Sequence, residues 1–297
     1  MPLILEAGDE GAIELDGLVE LLDAALFDAR DEASIAAVAP LLARLGRNRR
    51  FLTDLAIHEL KTRFALQGES STYGAQVLML RPPNGRYVLR ANFWPARDDA
   101  VVRASGTAPF FYDMPHDHNF SFLTYGYLGP GYWSDYYAFG GAEDALPGDR
   151  AVLRFEERSR LEPGKLMLYR AHRDVHVQLP PDAFSVSLNI LFPHPAQQWR
   201  SQYRFDIASD TVAAALTTTP SEVLATLAAQ FGGGSGLDLV DHLRRSHPSG
   251  RMRRTALDAL ASVAAGPAER VALFERATQD PAVERHARQR LQRIRNG

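Results

Sequence analysis

The sequence Met114-Pro115-His116-Asp117-His118-Asn119-Phe120, which continues into a strand-like segment up to Tyr127, decides how the rest of the chain is interpreted. Successive side chains of an extended strand alternate between its faces, so His116 and His118 are expected to point the same way. Two imidazoles side by side on a rigid strand form part of a metal site. His176 is the best candidate for the third ligand, and the sequence therefore predicts a metal site held by His116, His118 and His176.

Short strands separated by Gly and Pro turns surround this motif. They are predicted over residues 75–80, 87–94, 132–139, 151–155, 165–169, 176–178 and 184–192. The dipeptide Asn84-Gly85, between two apolar runs, is a strong hairpin signal. Many short strands without interleaved helices are typical of an antiparallel sandwich or barrel rather than a parallel sheet.

Helical patterns precede and follow the strands. Apolar residues recur at helical spacing within 16–63, where Asp16 is the expected N-cap of one helix and Gly46 the expected C-cap of another. After Asp206 the chain is rich in Ala and Leu, and helices are predicted over 221–230, 237–245, 251–264, 268–278 and 282–294, with the glycine run 232–236 as a linker. We therefore predict an α+β protein in three parts: an N-terminal helical segment (1–67), a strand-rich domain with the metal site (68–206) and a C-terminal helical tail (207–297).

Composition limits both the chemistry and the cellular context. With 45% hydrophobic and 23% charged residues, the 297-residue chain has the composition of a soluble globular protein. It contains no cysteine, which excludes disulfides, iron–sulfur clusters, thiolate zinc sites and a cysteine nucleophile. The net charge of −3 argues against nucleic-acid binding driven by overall charge. No apolar run reaches the ~18 residues of a membrane span, and the N-terminus lacks a signal-peptide pattern. We expect a cytoplasmic protein that binds neither nucleic acid nor membrane.

The central region, residues 73–195, resembles the cupin superfamily. Cupins are small antiparallel β-barrels in which a His-x-His pair and a later histidine hold a metal. His116 and His118 match the pair, Pro163-Gly164 matches the turn before the ligand strand, and His176 matches the later histidine. His176 lies slightly further from that turn than is usual, which leaves His172 as a rival third ligand. The resemblance implies a central double-stranded β-helix with helices on either side of it in sequence.

One departure from the common cupin pattern bears on function. Common cupins carry a glutamate shortly after the histidine pair, but the matching stretch here, Phe122-Leu123-Thr124, has no acid. A three-histidine site without glutamate resembles that of the thiol dioxygenases. Such a site leaves three positions open on an octahedral Fe(II) for substrate and O₂. The resemblance therefore implies Fe(II), with Zn, Mn or Ni as alternatives. It also implies that Arg90 holds a substrate carboxylate, which its planar guanidinium suits.

Two further residues complete the predicted site. Tyr125 is predicted to face inward and donate a proton to a substrate or bound oxygen, and His172 to act beside the metal ligands. A second interpretation, in which His172-Arg173-Asp174 and His194 form the site of a 2-oxoglutarate oxygenase, is also open. The predicted function is a metal-dependent oxygenase that acts on a small anionic or amino-acid-like molecule and uses O₂. The alternative is a non-redox cupin, meaning an isomerase, a lyase or a ligand-binding module.

The C-terminal tail contains two segments similar to parts of a HEAT-type repeat. They span residues 250–260 and 280–291. Their apolar spacing requires a packing partner, because one helix alone does not bury such a face. We therefore predict antiparallel helices that pack on the barrel or on a second subunit, and a surface for a homodimer or another protein partner.

Overall fold

The computed structural model describes residues 1–62, 76–142 and 144–296. These residues form two compact units. The first unit comprises Met1–Gln197 and Gln202–Ala214, and the second comprises Gln198–Ser201 and Ala215–Gly297. The predicted start of the barrel domain at residue 68, and the first residue of the strand predicted at 75–80, lie outside the described residues.

The first unit contains the predicted strands and the N-terminal helices. Its helices are α1 (Leu15–Ala24), α2 (Glu32–Arg47), α3 (Phe51–Lys61) and α4 (Ala100–Ser105). Its strands are β1 (Leu3–Leu5), β2 (Val77–Met79), β3 (Val88–Trp94), β4 (Ser121–Leu128), β5 (Tyr132–Phe139), β6 (Leu153–Leu161), β7 (Leu166–Tyr169), β8 (Asp174–Gln178), β9 (Ser185–Phe192), β10 (Tyr203–Asp206) and β11 (Thr211–Ala215). β11 lies beyond the boundary expected at residue 206, within the stretch predicted to be helical.

Antiparallel pairing organises these strands into sheets. The largest sheet has the order β1-β7-β4-β9-β3-β2, a second has the order β6-β5-β8, and β10 pairs with β11. The predicted hairpin joins β2 to β3, and the Asn84 side chain accepts hydrogen bonds from the backbone N–H groups of Arg86 and Tyr87 in its turn. The prediction of antiparallel sheets is confirmed, whereas the closed double-stranded β-helix stays a prediction.

The N-terminal helices cover one face of the large sheet. α2 packs on β4, β7 and β9, and the Asp31 side chain caps its start by accepting hydrogen bonds from two backbone N–H groups. Gly46 is not the C-cap, because α2 continues to Arg47. A Cβ atom at Gly46 would lie 2.1 Å from Cε1 of Tyr125, so glycine allows α2 to approach β4 closely. The start of α1 also differs from the prediction. The helix begins at Leu15, with Glu14 rather than Asp16 as its N-cap, and Asp16 lies in its first turn.

The other face of the large sheet turns toward the three-stranded sheet. Strand alternation sends Leu123, Tyr125 and Tyr127 of β4 into the core under the helices. It sends Phe122 to the opposite face, into a second core that Tyr132 and other residues of both sheets share. The candidate site lies beside this second core.

The second unit is helical, as predicted for the tail. Its helices are α5 (Pro220–Phe231), α6 (Gly233–Ser246), α7 (Gly250–Ser262), α8 (Pro267–Ala277) and α9 (Glu284–Asn296). The glycine run is not a linker, because Gly232 caps α5 and the following glycines begin α6. Cβ atoms at Gly232 and Gly236 would lie 2.5 and 2.1 Å from the carbonyl oxygen of Ala228, so glycine allows the two helices to meet closely. The similarity to HEAT repeats stays a prediction.

The first helix of the second unit carries exposed apolar side chains. Val223, Leu224, Leu227 and Phe231 of α5 are exposed by 60, 61, 53 and 81%. The predicted partner contact of the tail would need a surface of this kind. Within the described ranges, none of the helices has the length and apolar character needed to cross a membrane.

Candidate metal centre

Backbone hydrogen bonds hold the predicted ligand segments side by side. His116 and His118 lie in extended chain just before β4, and His176 lies in β8. The backbone N–H groups of His116 and His176 each donate to the carbonyl oxygen of the other at 3.0 Å. The N–H of His172 donates to the carbonyl oxygen of His118 at 2.9 Å. These bonds fix the His-x-His segment next to β8, although it is not part of a longer strand.

The three imidazole rings converge on one point. Nε2 of His176 lies 3.1 Å from Nε2 of His116 and 3.2 Å from Nε2 of His118. Two nitrogen atoms bound at right angles to one ion, each at about 2.1 Å, are about 3.0 Å apart. The spacing therefore fits one metal ion that contacts all three rings. Among the described residues, His116, His118 and His176 form a group of candidate metal ligands, and His172 does not belong to it.

Burial keeps these rings in the form that binds metal. It lowers the pKa of His116, and it lowers the pKa values of His118 and His176 well below the usual range, with neighbouring histidines adding to the effect for the last two. Nδ1 of His116 lies 2.8 Å from the carbonyl oxygen of Met114, which only accepts hydrogen bonds. Nδ1 therefore carries the proton, and the lone pair of Nε2 faces the other two rings.

Aromatic packing orients the other two rings. His118 meets Phe122 edge to face with the ring centroids 4.9 Å apart, and His176 lies parallel to Tyr136 at 6.4 Å. Nδ1 of His118 and Nδ1 of His176 are buried and have no hydrogen-bond partner among the described protein groups. Metal-bound histidines usually donate this second N–H to a neighbouring acceptor. Packing takes over that orienting role here.

The lowered pKa values predict that the metal-free protein loses stability in acid. Below the unfolded-state pKa of about 6.5, the unfolded chain takes up protons that the buried histidines of the folded chain do not. The free energy of unfolding should therefore decrease as the pH is lowered, by up to about 1.4 kcal/mol per pH unit for each histidine. Urea unfolding of chelator-treated protein between pH 8 and pH 5 would measure this. A variant combining H116Q, H118Q and H176Q should show a flatter profile, and parallel profiles would contradict the assignment.

The histidines line a cavity between the two larger sheets. Its volume is about 580 Å³. Aromatic side chains form much of its wall: Trp94, Phe110, Phe111, Phe120, Phe122, Tyr132 and Tyr169. Six amide side chains also line it: Gln76, Asn92, Gln178, Asn189, Gln197 and Gln202. Among the described lining residues Arg90 is the one permanent cation, and none is a carboxylate.

Arg90 shares this cavity with the three histidines. It lies on β3, directly opposite Asn189 of β9 in the strand register, and both side chains line the cavity. Its positive charge contributes to the lowered pKa of His118. The structure thus brings the predicted substrate-binding residue and the predicted metal ligands together around one space.

His172 lies behind this site rather than in it. Its Nδ1 is 3.3 Å from Oδ2 of Asp117, whose Oδ1 accepts a hydrogen bond from the backbone N–H of Tyr203. Asp117 is fully buried, and neither residue lines the cavity. His172 has a left-handed backbone with φ of 58°, which turns the chain sharply before β8. It neither replaces His176 as the third ligand nor reaches the space where the predicted catalytic role would place it.

Asp174 is also committed to other contacts. Its carboxylate pairs with Arg170 at 2.7 Å and with the N-terminal amino group at 3.4 Å. It therefore does not form a ligand group with His172, as the 2-oxoglutarate oxygenase interpretation requires. That interpretation is not supported by the described part of the chain.

The prediction that Tyr125 faces the site is corrected by the structure. Its ring packs under α2 against Gly46, on the face of β4 that points away from the cavity. Alternation counted from His118 puts Phe122 on the same side as the histidine and Tyr125 on the opposite side, so the signal was present in the sequence. Of the tyrosines that the structure describes, Tyr132 and Tyr169 line the cavity, and the hydroxyl of Tyr169 is 2.9 Å from that of Tyr136.

Comparisons with known proteins give only weak likenesses. No family model and no curated protein matches the chain. The salicylate 1,2-dioxygenase of Pseudaminobacter salicylatoxidans is 11% identical, with a TM-score of 0.26 over 47% of this chain and 33% of its own, so the match spans about a third of the dioxygenase. A DMSP lyase of Ruegeria pomeroyi is 11% identical, with a TM-score of 0.26 over 66% and 79%. A prolyl-4-hydroxylase of Pseudomonas putida is 12% identical, with a TM-score of 0.24 over 48% and 84%. Similarities at this level do not assign a function to this chain.

Proposed function

We propose that the first unit is a cupin-type metalloenzyme that binds Fe(II) through His116, His118 and His176 and uses O₂ to oxidise a small anionic substrate. The observation that carries the proposal is the convergence of three neutral imidazole nitrogens in a cavity that also contains Arg90. Nitrogen donors of this kind suit iron and other transition metals, and a three-residue set leaves positions for other ligands.

The absence of a carboxylate from the ligand group favours an anionic substrate. Three neutral ligands do not offset the positive charge of a divalent ion, and such an ion attracts and deprotonates an acidic substrate group. A bound iron ion would supply the chemistry with oxygen. Arg90 would fix a second anionic group of the substrate, and the aromatic wall would keep bulk water away from the reacting atoms.

Dependence on oxygen separates this proposal from a non-redox cupin. We expect the iron-loaded protein to consume O₂ when a substrate is added, and to convert none of it under strict anaerobiosis. Oxygen-electrode traces and product analysis in a glove box would measure both, with the H176A variant as the metal-free control. An isomerase or lyase would instead turn over without O₂, and with Zn(II) or Mn(II) in place of iron. Anaerobic turnover would therefore end the oxygenase proposal.

A further inference from the structure

We infer that the substrate is an aromatic carboxylate that carries an uncharged hydrogen-bonding group and no ammonium, which separates it from an amino acid. The inference rests on the proposed function only in taking this cavity as the substrate site. It comes from the charge, the buried amides and the aromatic wall of the cavity.

The charge of the cavity selects against an ammonium group. Arg90 is a permanent cation, and the imidazole side chains that line the cavity with it carry no negative charge whether or not they are protonated. An amino acid would lose water from its ammonium here and find no carboxylate among the described lining residues. Burying a charge without a counter-charge is strongly unfavourable.

Two buried amides call for a neutral polar group on the ligand. Asn92 and Gln178 line the cavity and are exposed by only 6% and 3%. Oδ1 of Asn92 and Nε2 of Gln178 have no hydrogen-bond partner among the described protein groups. Buried amide atoms are normally paired, and a hydroxyl can both donate and accept. A hydroxyl or another uncharged polar group on the substrate would pair with these amides.

The apolar wall fits a flat ring. The rings of Phe122 and Tyr169 are stacked at 4.5 Å with 12° between their planes, and those of Trp94 and Tyr132 are 4.9 Å apart. The indole N–H of Trp94 donates to the hydroxyl of Ser187 at 2.9 Å, which fixes that ring. Fixed aromatic faces favour an aromatic ligand through offset or edge-to-face contacts, beyond the effect of buried area alone.

Binding measurements with matched probes test the inference without turnover. The full-length protein, loaded with Fe(II) under argon, would be titrated calorimetrically with 3-phenylpropionate, L-phenylalanine, phenethylamine and 3-phenylpropanamide. We expect 3-phenylpropionate to bind about 10- to 100-fold more tightly than each of the others, because one charge-assisted hydrogen bond, or one buried charge left unpaired, changes affinity by about that factor. Equal or tighter binding of L-phenylalanine would overturn the inference, as would the absence of binding by every aromatic probe.

Further probes test the ring and the polar group separately. Hexanoate should bind more weakly than 3-phenylpropionate, and equal affinity would overturn the aromatic part. At least one of the three ring-hydroxylated 3-phenylpropionates should bind several-fold more tightly than the parent acid, and Q178L should reduce that difference. If no hydroxylated probe binds more tightly than the parent acid, the hydrogen-bonding part is wrong.

Two variants connect the selectivity to named residues. R90Q should abolish the preference for the carboxylate over the amide, whereas R154Q, at an exposed arginine on β6, should keep it. N92D places a carboxylate in the cavity and should weaken 3-phenylpropionate while strengthening L-phenylalanine. An unchanged carboxylate preference in folded R90Q would contradict the inference. Selective binding without O₂ consumption would instead count against the proposed oxygenase and leave the substrate class intact.

Discussion

Replacing His176 with alanine is expected to remove most of the bound metal, whereas replacing His172 with alanine should leave the metal content close to that of the wild type. Nε2 of His176 lies 3.1 Å from Nε2 of His116 and 3.2 Å from Nε2 of His118. Loss of the His176 ring therefore leaves two imidazoles to hold the ion. Losing an outer partner of a metal ligand already costs about 10- to 100-fold in affinity. We expect the loss of a ligand to exceed that.

His172 is a well-matched control because it is also a buried histidine and lies close in sequence. It is exposed by 7%, and its ring contacts Asp117 rather than the converging nitrogens. Metal analysis after dialysis against a weak chelator would measure both variants, and circular dichroism would check that each remains folded. H176Q, which keeps a polar side chain of similar reach, should also lose metal. If H172A lost its metal while H176A kept it, the third ligand would be misassigned.

Local patterns are enough to predict most of the strands and the grouping of the three histidines. The His-x-His spacing, the Asn84-Gly85 turn and the alternating apolar runs depend on neighbours in sequence, and β3, β5 and β9 match their predicted ranges to within one residue. The third candidate ligand, His176, is predicted from its position after the Pro163-Gly164 turn. The antiparallel bridge between His116 and His176 supports that choice.

The features that were missed depend on contacts between distant residues. β1 forms by pairing with β7, so the sequence of Leu3–Leu5 alone does not specify it. Asn92 and Gln178 are ordinary polar residues in their own strands, and they come to line one cavity because β3 and β8 lie in different sheets that face it. Gly46 was predicted to end a helix because glycine is common at helix ends. The ring that requires glycine at that position lies on β4.

Gly46 also provides the strongest test of how the helices meet the large sheet. A methyl group at this position would lie 2.1 Å from Cε1 and 2.4 Å from Cδ1 of Tyr125, a ring that is exposed by only 4%. Replacing glycine by alanine inside a helix normally stabilises by about 0.5–1 kcal/mol. Overpacking a filled core costs about 1–3 kcal/mol. Because Tyr125 has little space to move, we expect G46A to lower the free energy of unfolding by about 1–2 kcal/mol.

Three further variants separate this clash from a general effect of the substitution. Gly17 lies in α1, where a Cβ atom would meet only Cβ of Ile13 at 3.9 Å, so G17A should be neutral or stabilising. Y125L shortens the opposing side chain, and its combination with G46A should be more stable than the sum of the two single effects, by about 0.5–3 kcal/mol as for other residues in contact. Urea unfolding followed by fluorescence would give all four values. Additive effects in the double variant, or a G46A protein as stable as G17A, would mean that α2 does not pack on β4 through this contact.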